Sequence, residues 1–475
     1  MRLRGGHSLL LAGATPLILA CSGDANAPAP VRCVPPDIVM SRVDANANNV
    51  LSAVTVARVR FADSVLVRFS GTDTSQVSAT PAVASDAGDS VVVPILGLLP
   101  RASYNLELHA YNACATMTGT AMSFTTGALP SDLPRYTASG IAPTAGYIAF
   151  SAAPYGIVID NTGRVVWYRR FASPAGPGLN FQPQPTGHYV ARPPTPPGDT
   201  SSSFLELDAL GDIVRVFGCA RGLASRFHDL IALPDTSYWM MCDETRTMDL
   251  RSYGGLANAQ VTGTVIQHVR ASGSALFEWS AFDHFAITDL DSLERLGAVV
   301  NWTHGNAIDF DRDSNLIVSF RSLSEITKID RRSGAVLWRM GGRASQFAPG
   351  SSGTPLFARQ HGVRMSASGA LQLLDNLGEP GASRVRHIVF GVDGTPRVAA
   401  RSESWGSEPP VIALLGGSTQ ELPNGHVLAA YGNGNRVEEY DASGNVVWRI
   451  EGNPGYVFRA YRFPSLYKPG VGFHR

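Results

Sequence analysis

No sign of charge dominates this sequence. Lys and Arg number 39, Asp and Glu also 39, and no basic block stands out. Nucleic acid, which is held by clustered cations, is therefore not an expected partner. Charged residues of both signs make up only 16%. No apolar run reaches the ~18 residues of a membrane-spanning helix. The five cysteines contain no CxxC pair and are too dispersed to read as a zinc site. Histidine is scarce as well, with 11 in the chain, so any alignment among them carries weight. What the chain has instead is 48 Gly and 31 Pro, a turn-rich composition that suits an all-β protein. Its 475 residues suit two domains, one of them large.

One short pattern recurs six times, a Gly turn followed by a β-rich run that usually closes in an aromatic. It reads DNTGRVVW at Asp160–Trp167, DALGDIVRVF at Asp208–Phe217, RASGSALFEW at Arg270–Trp279 and DRRSGAVLW at Asp330–Trp338. It continues as VDGTPRVAA at Val392–Ala400 and DASGNVVW at Asp441–Trp448. Glycine supplies the positive φ of a tight hairpin, and the flanking alternation suits half-buried strands. Repeats of roughly 40–60 residues built of hairpins are the mark of propeller blades. The expected fold is all-β, a six-bladed β-propeller over residues 135–475. In such a fold the opening strand of every blade lines one central channel.

The N-terminus reads as an export signal over residues 1–20. Arg2 and Arg4 precede the apolar stretch Ser8–Ala20, and Ile18-Leu19-Ala20-Cys21 has the form of a lipobox. Cleavage there would leave Cys21 as a lipidated N-terminus, tethering an exported protein of the cell envelope, periplasmic or on the outer membrane. Residues 21–33 form a Pro/Ala/Ser tether. Residues 34–128 hold short alternating strands. LLPRASYNLELHAYN at Leu98–Asn112 resembles the tyrosine-bearing strand of fibronectin type III sandwiches, so a small β-sandwich is expected there. The four remaining cysteines, Cys33, Cys114, Cys219 and Cys242, allow three pairings in an oxidising compartment. Keeping each link within one domain favours Cys33–Cys114 and Cys219–Cys242. The tail YVFRAYRFPSLY, Tyr456–Tyr467, is a candidate closing strand.

Three blade openings begin with histidine: HDLIALPD at His228, HGNAIDF at His304 and HGVRM at His361. The matching positions elsewhere are Asn180 or Gln182, and Gly417-Ser418. His188, His268, His284, His387, His426 and His474 lack that register. His304 and Asn306 lie two apart on a predicted strand and so should share a face. Arg321 follows the next strand. Three His, an Asn and an Arg at a channel end suit anion chemistry. The guanidinium fork binds sulfate or phosphate oxygens, and imidazole serves as base, acid or nucleophile. A three-His set could instead hold a metal, but no carboxylate joins it and Arg321 disfavours a cation, so neither metal nor cofactor is expected.

The stretches WTHGNAIDFDRDSNLIVSFR (Trp302–Arg321), ITKIDRRSGAVLWRMGG (Ile326–Gly342), FARQHGVRM (Phe357–Met365) and HDLIALPD resemble the bacterial aryl-sulfate sulfotransferases. The resemblance implies ping-pong transfer of a sulfuryl group from an aryl sulfate donor to a phenolic acceptor, with no nucleotide donor. It implies that His361, in the Gln-His pair, is transiently sulfated. His228, His304, Asn306 and Arg321 would then bind and polarise the group and shuttle protons. Many relatives carry Asp after the reactive His, where this chain has Gly362, and a Ser-Arg pair where it has Ser319-Phe320-Arg321. A homodimer is left open. Two other classes compete: a metal-dependent propeller hydrolase or lactonase using Asp243, Glu244, Asp375 and Asn376, and a non-enzymatic surface-binding propeller.

Overall fold

The computed structural model describes residues 33–72, 76–85, 90–171, 180–193, 203–347, 355–390 and 399–470. The export signal, Cys21 and most of the tether, the repeat glycine Gly394 and His474 lie outside them. Among the described residues the chain is almost entirely β and propeller-like, with 35 strands and five 3-10 turns of three residues each. No helix among them is long and apolar enough to cross a membrane.

Two sheets come first. Asp37–Ala45, Ala53–Arg60 and Ser90–Ile95 form one, and the other is built on Ser64–Gly71 and Ser103–Tyr111. Alternation along these strands points Ala53, Ala57, Val65, Val67, Val93, Leu106 and Leu108 into one shared core. Tyr104 hydroxyl accepts from Leu99 N–H at 2.7 Å, tying the second long strand back to the Leu-Pro turn. Cys33 is bonded to Cys114, closing this region on itself.

Six sheets follow in chain order, antiparallel throughout except that Val299–Asn301 joins the third in parallel with Ala259–Val269. The second to fifth begin with Asn180–Pro183, Ala224–Ala232, Gly305–Phe310 and His361–Met365, and the sixth with Ser418–Glu421. The first holds Tyr147–Ala152, Tyr155–Ile159 and Val165–Arg170, and its fourth strand is Ala460–Phe463 from the far end of the chain. The tail therefore supplies the closing strand. Opening strands contact their neighbours from the third sheet through the sixth, and Ala460–Phe463 touches both Asn180–Pro183 and Ser418–Glu421. A second interlock comes from Ala138–Gly140, which pairs with Val446–Ile450 on the outside of the sixth sheet.

Among the described residues, the sequence repeat maps onto an outer hairpin of a sheet: in the first it joins Tyr155–Ile159 to Val165–Arg170, and in the second, third, fourth and sixth it joins the third and fourth strands. Gly163, Gly211, Gly273, Gly334 and Gly444 all have φ between 76° and 88°, conformations that only glycine adopts without strain. At Trp167, Trp279 and Trp448 the aromatic that closes the repeat docks against the turn of the next sheet. Trp167 Nε1 donates to Ala209 O at 2.9 Å, and Trp448 Nε1 donates to Asn161 O at 2.8 Å. In the fifth sheet the aromatic is Trp405, packed beneath Gly444. Each buried indole removes on the order of 200 Å² from water, roughly 5 kcal/mol before entropy is counted. The repeat is thus a device for stacking sheets, and the space it leaves at the opening strands is where polar residues gather.

Cys219 is bonded to Cys242, within the third sheet and the segment leading into it.

Candidate active site

Three of the opening strands break their pairing where they begin. Register shifts fall between Ser225 and Leu230, between Gly305 and Ala307, and between His361 and Arg364. His228 lies inside the first irregularity, His304 immediately precedes the second, and His361 opens the third. Bulges of this kind turn a side chain out of the strict alternation of a strand. The backbone is forced further at His304, with φ 48°, and at Arg359, with φ 56°, both in the left-handed region. Gly362 has φ 64°, and a Cβ there would lie 2.8 Å from Gly417 O. The Asp that many relatives carry at this position would collide with the sixth sheet.

The three rings converge. Their nearest nitrogens all lie within 4.8 Å of one another, and His228 Nε2 is 3.2 Å from His304 Nε2. His228 and His361 are buried, and His304 is half-buried.

Neighbours fix the tautomers. Asn376 Nδ2 donates to Ala413 O at 2.7 Å and Gly416 O at 3.0 Å, so its Oδ1 must be an acceptor. That oxygen sits 2.9 Å from His361 Nδ1, which therefore carries the proton. The lone pair of His361 is left on Nε2. Asn301 is oriented the other way. Its Oδ1 faces Arg226 Nη2 at 3.5 Å, so Nδ2 donates to His304 Nδ1 at 2.7 Å. His304 then carries its proton on Nε2 and donates it to His228 Nε2. His228 is left protonated on Nδ1, a buried nitrogen with no protein partner.

All three imidazoles are held neutral. Burial is the main cause at His361 and pushes it down to about 3; the Asn376 hydrogen bond opposes this, and Arg321 and Arg459 add to it. Burial drives His304 far below the usual range, helped by Arg226, His361, Arg321 and Arg359. His228 falls well below for the same first reason, with His304 and Arg226 next. Neutral imidazoles ringed by guanidinium groups make a pocket suited to an anion.

Beneath the cluster lies a second knot of charge. Asp229, fully buried, accepts from Arg459 Nη1 at 2.7 Å, Arg364 Nη1 at 3.1 Å and Ile308 N–H at 2.9 Å. Burial alone would raise its pKa, but Arg364 and Arg459 outweigh that and hold it below the usual carboxylate range. Arg459 also donates to Asn306 O at 2.5 Å, and Arg364 to the Tyr461 hydroxyl at 2.8 Å. One carboxylate thus ties together the third, fourth and fifth sheets and the closing strand.

Asn306 and His304 do not share a face. The bulge separates them: the His304 ring meets His228 of the third sheet, whereas Asn306 Nδ2 donates to Gln360 O at 2.7 Å, toward the fifth. One N–H of that amide is committed and one remains. Gln360 Nε2 donates to Ser319 Oγ at 3.0 Å and Glu325 O at 3.0 Å, setting the height at which His361 emerges. Arg321 lies one residue beyond its strand, its N–H donating to His304 O at 3.0 Å and its Nη2 to Leu414 O at 3.2 Å. Its pKa is lowered, first by burial and then by Arg359.

The residues of the competing hydrolase reading are engaged elsewhere. Asp243 pairs with Arg226, Glu244 with Arg246 at 2.8 Å and Asp375 with Arg386 at 3.0 Å; Asn376 holds His361. Among the described residues the histidine cluster gathers no carboxylate. A cavity of about 540 Å³ opens beside Arg364, Tyr461, Gln372 and Thr419. None of the three histidines lines it.

Sequence reasoning did not find Asn376 as a partner of His361, nor Asn301, Asp229, Arg364 or Arg459. Only Asp229 carried a local signal, standing next to His228 in HDLIALPD.

Residues 222–453 match the family model described as arylsulfotransferase (ASST). No curated protein matches the chain significantly. Among solved structures, a protein of unknown function from Bacteroides caccae is 12% identical, covering 67% of this chain and 98% of its own, with TM-score 0.44. A streptogramin B lyase is 12% identical, covering 68% of this chain and 85% of its own, with TM-score 0.39. A virginiamycin B lyase from Staphylococcus aureus is 9% identical, covering 67% and 90%, with TM-score 0.36. Likeness at that level transfers nothing to this chain.

Proposed function

Residues 222–453 of this chain belong to the arylsulfotransferase family, a family of transferases, and from that premise we propose a two-step sulfuryl transfer from an aryl sulfate to a phenol through a sulfated His361. The observation that supports it is the lone pair on His361 Nε2, exposed to the cluster because Asn376 keeps the proton on Nδ1.

In the first displacement that lone pair attacks sulfur, and the bond between sulfur and the aryl oxygen breaks. Arg321 and the remaining N–H of Asn306 hold the sulfuryl oxygens, where preorganised donors are most effective. In the second, the oxygen of an acceptor phenol attacks sulfur and the bond from sulfur to Nε2 breaks. The phenolic proton passes to His228 Nε2, which exchanges its hydrogen bond with His304 for this role. The resulting imidazolium passes that proton to solvent, which restores the neutral ring before the next donor binds, and the donor's aryl group leaves as aryloxide. Phe227, stacked on His228 at 4.0 Å between ring centroids, and Phe458, 5.8 Å from the same ring, give the aryl group an aromatic wall.

The same reading takes the six sheets as the blades of a six-bladed propeller over residues 135–475, and residues 34–128 as a fibronectin III-like sandwich. It also takes Cys21 as the lipidated residue of a cell-envelope protein, periplasmic or on the outer membrane, with a homodimer as an assembly open to it.

The test is incubation with p-nitrophenyl sulfate with and without phenol. Release of nitrophenol that depends on phenol is expected, and donor alone should leave one sulfuryl adduct on His361 by intact-mass and peptide analysis. An adduct on His304 would reassign the nucleophile, and full activity in His361→Asn would end the proposal.

A further inference from the structure

We propose that His228, His304 and His361 also form a reversible site for one borderline-soft divalent cation, Zn²⁺ foremost, and that filling it switches the site off. The switching half of this rests on the sulfuryl-transfer reading above; the binding half does not.

The geometry is close to what such an ion requires. Tetrahedral Zn²⁺ holds imidazole nitrogens at about 2.0–2.1 Å, which places any two of them about 3.3 Å apart. His228 Nε2 and His304 Nε2 are already 3.2 Å apart, and the His361 nitrogen lies within 4.8 Å of both, so a small shift of one ring completes three ligands. Three histidines with a fourth position open is a common zinc arrangement.

The surrounding hydrogen bonds also suit a metal. A ligating imidazole normally gives its other N–H to an acceptor, which fixes the ring. His361 does this already through Nδ1 to Asn376 Oδ1. His304 can do it through Nδ1 once the Asn301 amide turns over and presents Oδ1, an exchange within the existing 2.7 Å contact. His228 has a buried Nδ1 with no protein partner, so ligation through Nε2 disturbs nothing there.

The cationic surroundings raise the question of whether a dication is tolerated. Two of the nearby guanidinium groups are already neutralised, Arg226 by Asp243 and Arg359 by Glu294, while Arg459 shares Asp229 with Arg364. Arg321 remains, and an anionic fourth ligand such as chloride would offset it. The donor set decides which metal is taken. Three imidazoles and no carboxylate favour Zn²⁺, Cu²⁺ or Ni²⁺ and offer nothing to Mg²⁺ or Ca²⁺, which need oxygen.

The switch follows from electron counting. His361 Nε2 has a single lone pair, and a lone pair bound to a metal cannot attack sulfur. The metal-loaded and sulfuryl-accepting forms are therefore mutually exclusive.

The experiment is titration of the purified metal-free protein with Zn²⁺ against a chromophoric chelator, alongside the p-nitrophenyl sulfate assay. One Zn²⁺ per chain is expected, lost in His304→Ala and His361→Ala and retained in His268→Ala. Asn376→Ala, which removes an outer-shell partner, should weaken binding about 10–100-fold. X-ray absorption on the wild-type zinc complex should show three imidazoles, which keeps the claim testable if a variant does not fold. Mg²⁺ should not bind. Turnover should fall in proportion to occupancy and return on chelation. No stoichiometric binding, or binding that survives both ligand replacements, overturns the site; full turnover with the site filled, or activation by Zn²⁺, overturns the switch. Tight binding in a protein without any sulfuryl transfer would uphold the site while sinking the proposed function.

Discussion

Arg459 donates to the carboxylate of Asp229 at 2.7 Å across 230 residues of chain, and both side chains are buried. Asp229 directly follows His228, and Arg459 directly precedes the closing strand. The pair thus joins the loading of the histidine cluster to the closing of the ring of sheets. Removing Asp229 leaves two buried guanidinium groups without their counterion, whereas removing Arg459 leaves the carboxylate with Arg364 and strips a donor from Asn306 O.

Asp229→Asn should therefore cost about 3–5 kcal/mol in denaturant unfolding, and Arg459→Met less, because Arg364 still faces the carboxylate. The double variant should cost less than the sum of the two single changes, since both remove the same contact. Additive effects, or a loss of under about 1 kcal/mol for Asp229→Asn, would show that the contact is not holding the fold.

Asn376→Leu should leave the protein folded and lower kcat by about 10²–10⁴ with little change in KM, the scale seen when a catalytic imidazole is held in the wrong tautomer. The substitution keeps the volume but removes the side-chain acceptor of His361 Nδ1. A KM effect with normal kcat would make Asn376 a substrate contact instead.

Acid should destabilise the fold earlier than carboxylate titration alone would. The folded-state pKa of His361 lies near 3, below an unfolded value near 6.5, so the unfolded chain binds more protons between the two. Its contribution is fully present above pH 6.5 and is lost as pH falls toward 3. Between pH 7 and 5 this amounts to roughly 2 kcal/mol for one such group. His304 and His228 are shifted in the same direction. Urea midpoints measured at pH 7 and pH 5 should differ less in His361→Asn than in the parent; equal differences would mean His361 is not buried neutral.

The Cys219–Cys242 link closes a separation of 23 residues, worth about 3 kcal/mol in a chain-entropy account. Cys242 pairs with Ser225, just ahead of the irregular stretch that holds His228. A Cys219→Ser/Cys242→Ser variant should lose roughly that stability. It should also lose part of kcat, measured well below its melting temperature. Unchanged kcat would separate the disulfide from the placement of His228.

The legible part of this fold was local. The turn glycines and the aromatics that follow them obey short-range rules, so the hairpins at Gly163, Gly211, Gly273, Gly334 and Gly444 could be read directly. The fifth aromatic, Trp405, was missed because it lies beyond the stretch that repeats the pattern. The three histidines stood out because each heads an apolar run, although only His361 is the first residue of its strand: His228 lies within Ala224–Ala232 and His304 one residue ahead of Gly305–Phe310. The expectation that Asn306 accompanies His304 failed at the bulge between Gly305 and Ala307, which strict alternation cannot foresee. Asn376 and Arg459 were invisible for a different reason. Each acts through contacts set by how neighbouring strands align, and nothing around either residue in the sequence announces those partners.

The closing strand gives the site an order of assembly. Ala460–Phe463 is made after every strand it must join, and Arg459 arrives with it. A chain halted at residue 455 would own all three histidines, Asn376 and Arg321 and still hold Asp229 with only one of its two arginines. Competence for anion chemistry would therefore appear in one late event rather than accumulate sheet by sheet. Release of the closing strand would open the ring of sheets and withdraw Arg459 from Asp229 and Asn306 O in the same event.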